Sequence, residues 1–221
     1  MTELQPNLLR IRVPIPAVGE SADLRKGSLE LRLEHHRGGL CVLVPQPDAE
    51  GLPRRNFVGL PRRGALELAV RAPDYRVRVR VLDRLTLAPE GRLRGYVTVP
   101  MPHRLLWVRP DGRREPLLEV VPKELKTSWL GEGELGGYVH DTESSFWLSR
   151  REVAADTVAL IPVVLWNQTL HTITPEELTV SVRERDIREV DGQIVTAPRR
   201  LCFGAPERVD ERIRALPRKS A

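Results

Sequence analysis

Residues 29–44 read LELRLEHHRGGLCVLV. Leu29, Leu31 and Leu33 alternate with Glu30, Arg32 and Glu34, so an extended chain puts the apolar side chains on one face and the charged ones on the other. Leu40, Val42 and Val44 resume the same period after Arg37-Gly38-Gly39, where glycine accepts the positive φ of a tight reversal. The stretch therefore predicts a β-hairpin with one buried face. Outward from it the period of two recurs, in Leu9, Ile11 and Val13, in Leu66, Leu68 and Val70, and in Leu178, Val180 and Val182. Val77, Val79 and Val81 alternate with Arg76, Arg78 and Arg80, and Leu93, Val97 and Val99 follow in a further strand that carries Arg92, Arg94 and Tyr96 in phase with one another. Arg109-Pro-Asp-Gly-Arg113 and Val190-Asp-Gly-Gln193 are hairpin turns, because Asp-Gly tolerates φ > 0. The longest apolar run, Thr157–Trp166, predicts a strand buried on both faces, with Pro162 marking an edge or a bulge. Residues 45–64, rich in Pro and Gly, read as a long loop. Only Pro206–Leu216 has apolar residues at helical spacing, Val209, Ile213 and Leu216.

Many short strands and almost no helix predict an all-β protein, one or two two-layer antiparallel β-sandwiches with a short C-terminal helix. A chain of 221 residues with 41% apolar and 29% charged side chains has enough apolar surface for a packed core. No run is long and apolar enough for a spanning helix, and MTELQPNLLRIRV lacks the pattern of a signal peptide, so a soluble cytoplasmic protein is expected. Two cysteines, Cys41 and Cys202, make no disulfide framework and read as buried thiols. The net charge of +5 is uneven: residues 1–110 carry 19 Lys and Arg against 11 Asp and Glu, whereas residues 111–221 carry 16 against 19. The change of sign falls near the first Asp-Gly turn. It suggests a basic β-rich domain over 1–110, a sandwich-like domain over 111–204, and a helix and tail over 205–221.

Two surfaces are candidates for binding. A basic one comprises Arg54, Arg55, Arg62, Arg63, Arg76, Arg78 and Arg80; a β-face of arginines can hold phosphates in bidentate geometry, while a solvated face cross-paired to glutamates is the competing account. The other is the Gly-rich segment 127–138, TSWLGEGELGGY, where Trp129, Gly131, Glu134 and Tyr138 would meet a partner. His140, Asp141, Glu143 and the adjacent serines hold the ingredients of acid–base chemistry, but adjacency along one strand does not assemble a catalytic group. There is no nucleophile elbow, P-loop or dinucleotide fingerprint. His35 and His36 would point to opposite faces of a strand, and no paired Cys or His spacing exists, so neither a metal nor a cofactor is expected. Asn167-Gln-Thr169 has the form of a glycosylation sequon, which carries no weight without a secretory signal.

One resemblance rests on the order of motifs between residues 117 and 204. A strand ends in Val121-Pro122. Lys126-Thr-Ser-Trp129-Leu-Gly131 and Gly133-Glu134-Leu135 lead to Tyr138, followed by Arg150-Arg151, an Ile161-Pro162-Val-Val strand ending in Asn167, and the Asp191-Gly192-Gln-Ile-Val-Thr196 hairpin. This order resembles the uncharacterised prokaryotic family called domain of unknown function four-three-two. Leu130, Gly137 and Ile194-Val195 depart from that family's pattern. The resemblance implies an accessory role, since some members are encoded beside small-conductance mechanosensitive channels, and it implies no catalytic residues. The expectation is thus a non-catalytic interaction protein that binds a protein partner or a second copy of itself. Nucleic acid on the arginine face is the alternative, an enzyme comes third, and any membrane contact would be peripheral.

Overall fold

The computed structural model describes residues 8–47, 53–60, 63–130, 137–153 and 157–204. Among these residues the only regular elements are seventeen strands and one 3-10 turn at Glu184–Asp186, so the fold is all-β. The helix expected at Pro206–Leu216 lies outside the described residues, as do Arg62, Gly131 and Glu134.

The chain forms two compact units: Met1–Arg71 with Met101–Lys123 and Ala154–Thr157, and Ala72–Pro100 with Glu124–Val153 and Val158–Ala221. The division is interleaved and does not follow a single boundary near residue 110. The Asp-Gly turn there closes a hairpin between β9 (His103–Val108) and β10 (Arg114–Val120), in which Gly112 has φ +81°. Leu105, Trp107, Leu118 and Val120 on this hairpin belong to the same buried cluster as the opening hairpin, so packing keeps residues 101–123 with the first unit.

That unit holds two four-stranded antiparallel sheets. One runs β1 (Arg10–Val13), β6 (Ala65–Val70), β9, β10; the other runs β2 (Ser21–Lys26), β3 (Leu29–His36), β4 (Gly39–Pro47), β5 (Pro53–Val58). Leu29, Leu31, Leu33, Leu40, Val42 and Val44 from the second sheet meet Val13, Leu66, Leu68, Leu105 and Trp107 from the first. Each fully buried Leu contributes roughly 1.5–3 kcal/mol of transfer free energy, which is why the alternation in residues 29–44 dictates register. Gly39 has φ +145°, and a Cβ there would lie 2.6 Å from the Val58 carbonyl oxygen, so the reversal and the approach of β5 both require glycine. The presence of β5 corrects the reading of residues 45–64 as a loop. It was concealed because β5 is an edge strand: Phe57 is 79% exposed and only Val58 packs on the core cluster, so no apolar alternation marks it.

The second unit also holds two sheets. A four-stranded sheet has the order β11 (Lys126–Leu130), β12 (Gly137–Ser144), β7 (Arg76–Val81), β14 (Glu177–Val180). A five-stranded sheet centres on β13 (Val158–Asn167). One edge of β13 is lined by β8 (Arg92–Pro100), antiparallel; the other is lined end to end by β16 (Gln193–Val195) and β17 (Arg199–Phe203), both parallel. β15 (Arg188–Val190) closes a hairpin with β16 through Asp191 (φ 50°) and Gly192 (φ 70°), the two positive angles that a type I′ turn demands. β13 is central and buried on both faces, as expected. Pro162 lies neither at an edge nor in a bulge. It falls between Leu160↔Val195 and Val163↔Arg199, where the partner strand changes and no ladder bond is asked of it. Tyr96, opposite Pro162, turns its own backbone bonds away from β13 to Trp147. The β12–β7 pairing is parallel as well, joining strands far apart in sequence.

Candidate interaction site

The parallel register of β12 on β7 sets Val139 opposite Arg76 and His140 opposite Val77, which brings Tyr75 beside Tyr138. On the other side, β11 sets Trp129 opposite Tyr138 and Thr127 opposite His140. Three aromatic rings thus line one end of the sheet on neighbouring strands. Trp129 meets Tyr138 edge-on at 5.1 Å, and Tyr75 lies 5.6 Å from Tyr138 and 5.2 Å from the His140 ring. Trp129, Tyr138 and Tyr75 are 47%, 56% and 43% exposed, whereas His140 is buried. The Thr127 hydroxyl lies 3.1 Å from His140 Nδ1, which orients the ring beneath the aromatic row. β11 is the edge of its sheet among the described residues, and four of its five residues are exposed. Trp129 and Tyr138 stood out in the sequence. Tyr75 did not, because only the parallel pairing of distant strands brings it there.

The opposite face of the same sheet carries the arginine stripe. Directly paired residues share a face, so Arg78 stands beside Asp141, and Arg80 stands between Glu143 and Glu177. Arg78 Nε donates to Asp141 Oδ1 at 2.5 Å, and Arg78 Nη1 lies 3.8 Å from Glu177. Arg80 lies 3.8 Å from Glu143. The Ser128 hydroxyl donates to the second oxygen of Asp141. The Arg78 hydrogen bond, reinforced by Ser128, holds the Asp141 carboxyl below its ordinary range although partial burial works the other way. Asp141 in turn raises the Arg78 guanidinium. An open depression of about 480 Å³ over this face is lined by Arg78, Arg80 and Lys126 together with Glu124, Asp141, Glu143 and Glu177, so its charge is mixed.

The basic residues singled out in the sequence fall in both units. Arg54, Arg55 and Arg63 are exposed in the first compact unit; Arg76, Arg78 and Arg80 lie in the second, where Arg78 and Arg80 face carboxylates. His140, Asp141 and Glu143 do not converge either. His140 points to the aromatic side of β12, while Asp141 and Glu143 point to the arginine side and are engaged there. His35 Nδ1 contacts the Pro16 carbonyl and His36 lies near Glu34, so the two histidines take separate partners. Among the described residues no three His, Cys, Asp or Glu side chains cluster as a metal site would require. Cys41 is buried and Cys202 half-buried. Asn167 is wholly buried: its amide nitrogen faces the carbonyls of Leu87, Ala88 and His171, and its oxygen accepts from Thr169. The sequon-like triplet closes the end of β13 and serves the fold.

Comparison with family models, curated proteins and solved structures finds no match to this chain. No helix among the described residues is long and apolar enough to cross a membrane.

Proposed function

We propose that this chain is a non-catalytic interaction protein of the cytoplasm that docks a protein partner on the aromatic end of β11, β12 and Tyr75. The observation that carries the reading is the contact of Trp129, Tyr138 and Tyr75 on an exposed sheet edge. Trp and Tyr dominate the energetics of protein interfaces, because a rigid ring brings a large apolar area at little entropic cost. An edge strand adds unpaired backbone donors and acceptors that an incoming extended segment can satisfy. Buried His140 with its Thr127 contact supports the row from beneath. The resemblance noted around Trp129, with the accessory role it implies, points the same way.

The test is differential capture from a lysate of the native cell, comparing wild type with Trp129→Ser/Tyr138→Ser. A stoichiometric protein, or a second copy of this chain, that is held through high salt by wild type and lost from the double variant supports the reading. Equal retention by both contradicts it.

A further inference from the structure

The five-stranded sheet carries a second surface of different chemistry. Trp166 of β13 lies opposite Arg92 of β8 and Cys202 of β17, and Val164 lies opposite Arg94 and Arg200. Directly paired residues share a face, so Arg92, Arg94 and Arg200 surround Trp166 on one side of the sheet, with Tyr96 in the next row of β8. Neighbouring strands lie about 4.8 Å apart, so Arg94 and Arg200 flank β13 within roughly a Debye length of each other at physiological salt. Arg92 and Arg94 are exposed and Arg200 is half-exposed. The Arg92 guanidinium sits over the Trp166 ring, 4.3 Å from its centroid.

Among the described residues none of these three guanidiniums has a carboxylate partner, and no strand position on this face of β8, β13 or β17 is Asp or Glu. The neighbouring Arg199 marks the contrast. It turns to the other face of β17, is 4% exposed, and bonds Asp186 at 2.6 Å and the Ser181 carbonyl at 2.5 Å. Arg78, Arg80, Arg150 and Arg199 in the same unit are each set against a carboxylate, whereas Arg92, Arg94 and Arg200 have none among the described residues.

We infer that this face binds single-stranded nucleic acid, with Arg92, Arg94 and Arg200 on phosphates and the Arg92–Trp166 stack as the platform for a base. The charge complementarity is direct: clustered, uncompensated guanidiniums are neutralised by a ligand bearing repeated negative charge, and their planar donors fit phosphate oxygens. The stack selects a nucleic acid among polyanions. A guanidinium seated over an indole leaves its outer side to a base, and bases in single strands are available to stack on aromatic rings and arginine planes. An anionic bilayer would call for an apolar group beside the charges to enter the interface, and the only large apolar ring in these rows lies beneath Arg92.

The test is fluorescence anisotropy of labelled 20-nucleotide oligouridylate and oligothymidylate across a salt series, with the full chain. Neutralising about three phosphates predicts a slope of log K against log salt near −2. Arg92→Ala/Arg94→Ala/Arg200→Ala is expected to lower affinity at least tenfold and to flatten the slope. Arg80→Ala, on the paired stripe, is expected to bind as wild type. Arg92→Lys separates stacking from charge: affinity falls several-fold while the slope is kept. Circular dichroism melts confirm that each variant folds, and Arg94→Glu alone serves if the triple variant does not. No binding by wild type at 50 mM salt, unchanged binding by the triple variant, or equal competition by phosphatidylserine vesicles or polyglutamate overturns the inference.

Discussion

The two sheets of the second unit use the same residue for opposite ends. On the four-stranded sheet, Arg78 and Arg80 stand opposite carboxylates, and the stripe is electrostatically closed. On the five-stranded sheet, Arg92, Arg94 and Arg200 stand opposite apolar or aromatic residues, and their charge is open to solvent. An alternating Arg-x-Arg pattern has no function of its own; the cross-strand neighbour decides whether the guanidinium holds the sheet or waits for a ligand. Two buried basic groups contrast in the same way: Arg199 is bonded to Asp186, whereas His103 faces no carboxylate among the described residues and burial lowers its pKa to about 4.

The largest effect is expected at the buried Arg199–Asp186 pair. Asp186→Ala leaves Arg199 with only carbonyl partners, and the loss of stability in urea should reach about 3–5 kcal/mol. A loss below about 1 kcal/mol would mean that water already solvates Arg199. Next comes acid. His103 is wholly buried, its Nδ1 lies 2.9 Å from the Met101 carbonyl oxygen, and burial, followed by the charge of Lys26, lowers its pKa to about 4. Its folded value lies below the unfolded one, so stability is full above about pH 6.5 and falls as the pH drops toward 4, by roughly 3 kcal/mol in all. His103→Gln should flatten that part of the stability–pH curve; an unchanged curve would place the acid sensitivity elsewhere.

Arg78→Ala should cost about 1 kcal/mol, since the Arg78–Asp141 pair is only partly buried. Because Arg78 depresses the Asp141 carboxyl, that difference should be complete at neutral pH and shrink as the pH falls below the ordinary carboxylate value of 3.8. Arg80→Ala, in a pair whose side chains are 71% and 62% exposed, should change stability by less than about 0.5 kcal/mol. If Arg80→Ala proved as costly as Arg78→Ala, the stripe would act as one network and not as separate pairs.

The sequence made the antiparallel hairpins legible, because alternation and Asp-Gly turns are local signals: 29–44, 103–120 and 188–195 all form as read. The edge strand at Pro53–Val58 was hidden by its lack of a buried face. The interleaved units were hidden because a hairpin turn and a change of charge sign coincide near residue 110, although the hairpin packs inside the first unit. Trp129 and Tyr138 were legible as a surface from the polar, Gly-rich context. Tyr75 and the neutralising partners of Arg78 and Arg80 depend on the parallel pairing of β7 with β12, and parallel partners lie too far apart in sequence for a local pattern to reveal them. The in-phase Arg92, Arg94 and Tyr96 were visible in the sequence; Trp166 and Arg200 joined them only through the register of β13.

Both binding surfaces are tested together by one capture experiment in three arms, with wild type, Trp129→Ser/Tyr138→Ser, and Arg92→Ala/Arg94→Ala/Arg200→Ala each eluted through rising salt. The double variant is expected to lose the salt-resistant protein and to keep nucleic acid released at modest salt, and the triple arginine variant to do the reverse. Retention of both by both variants would contradict the assignment of binding to these two surfaces.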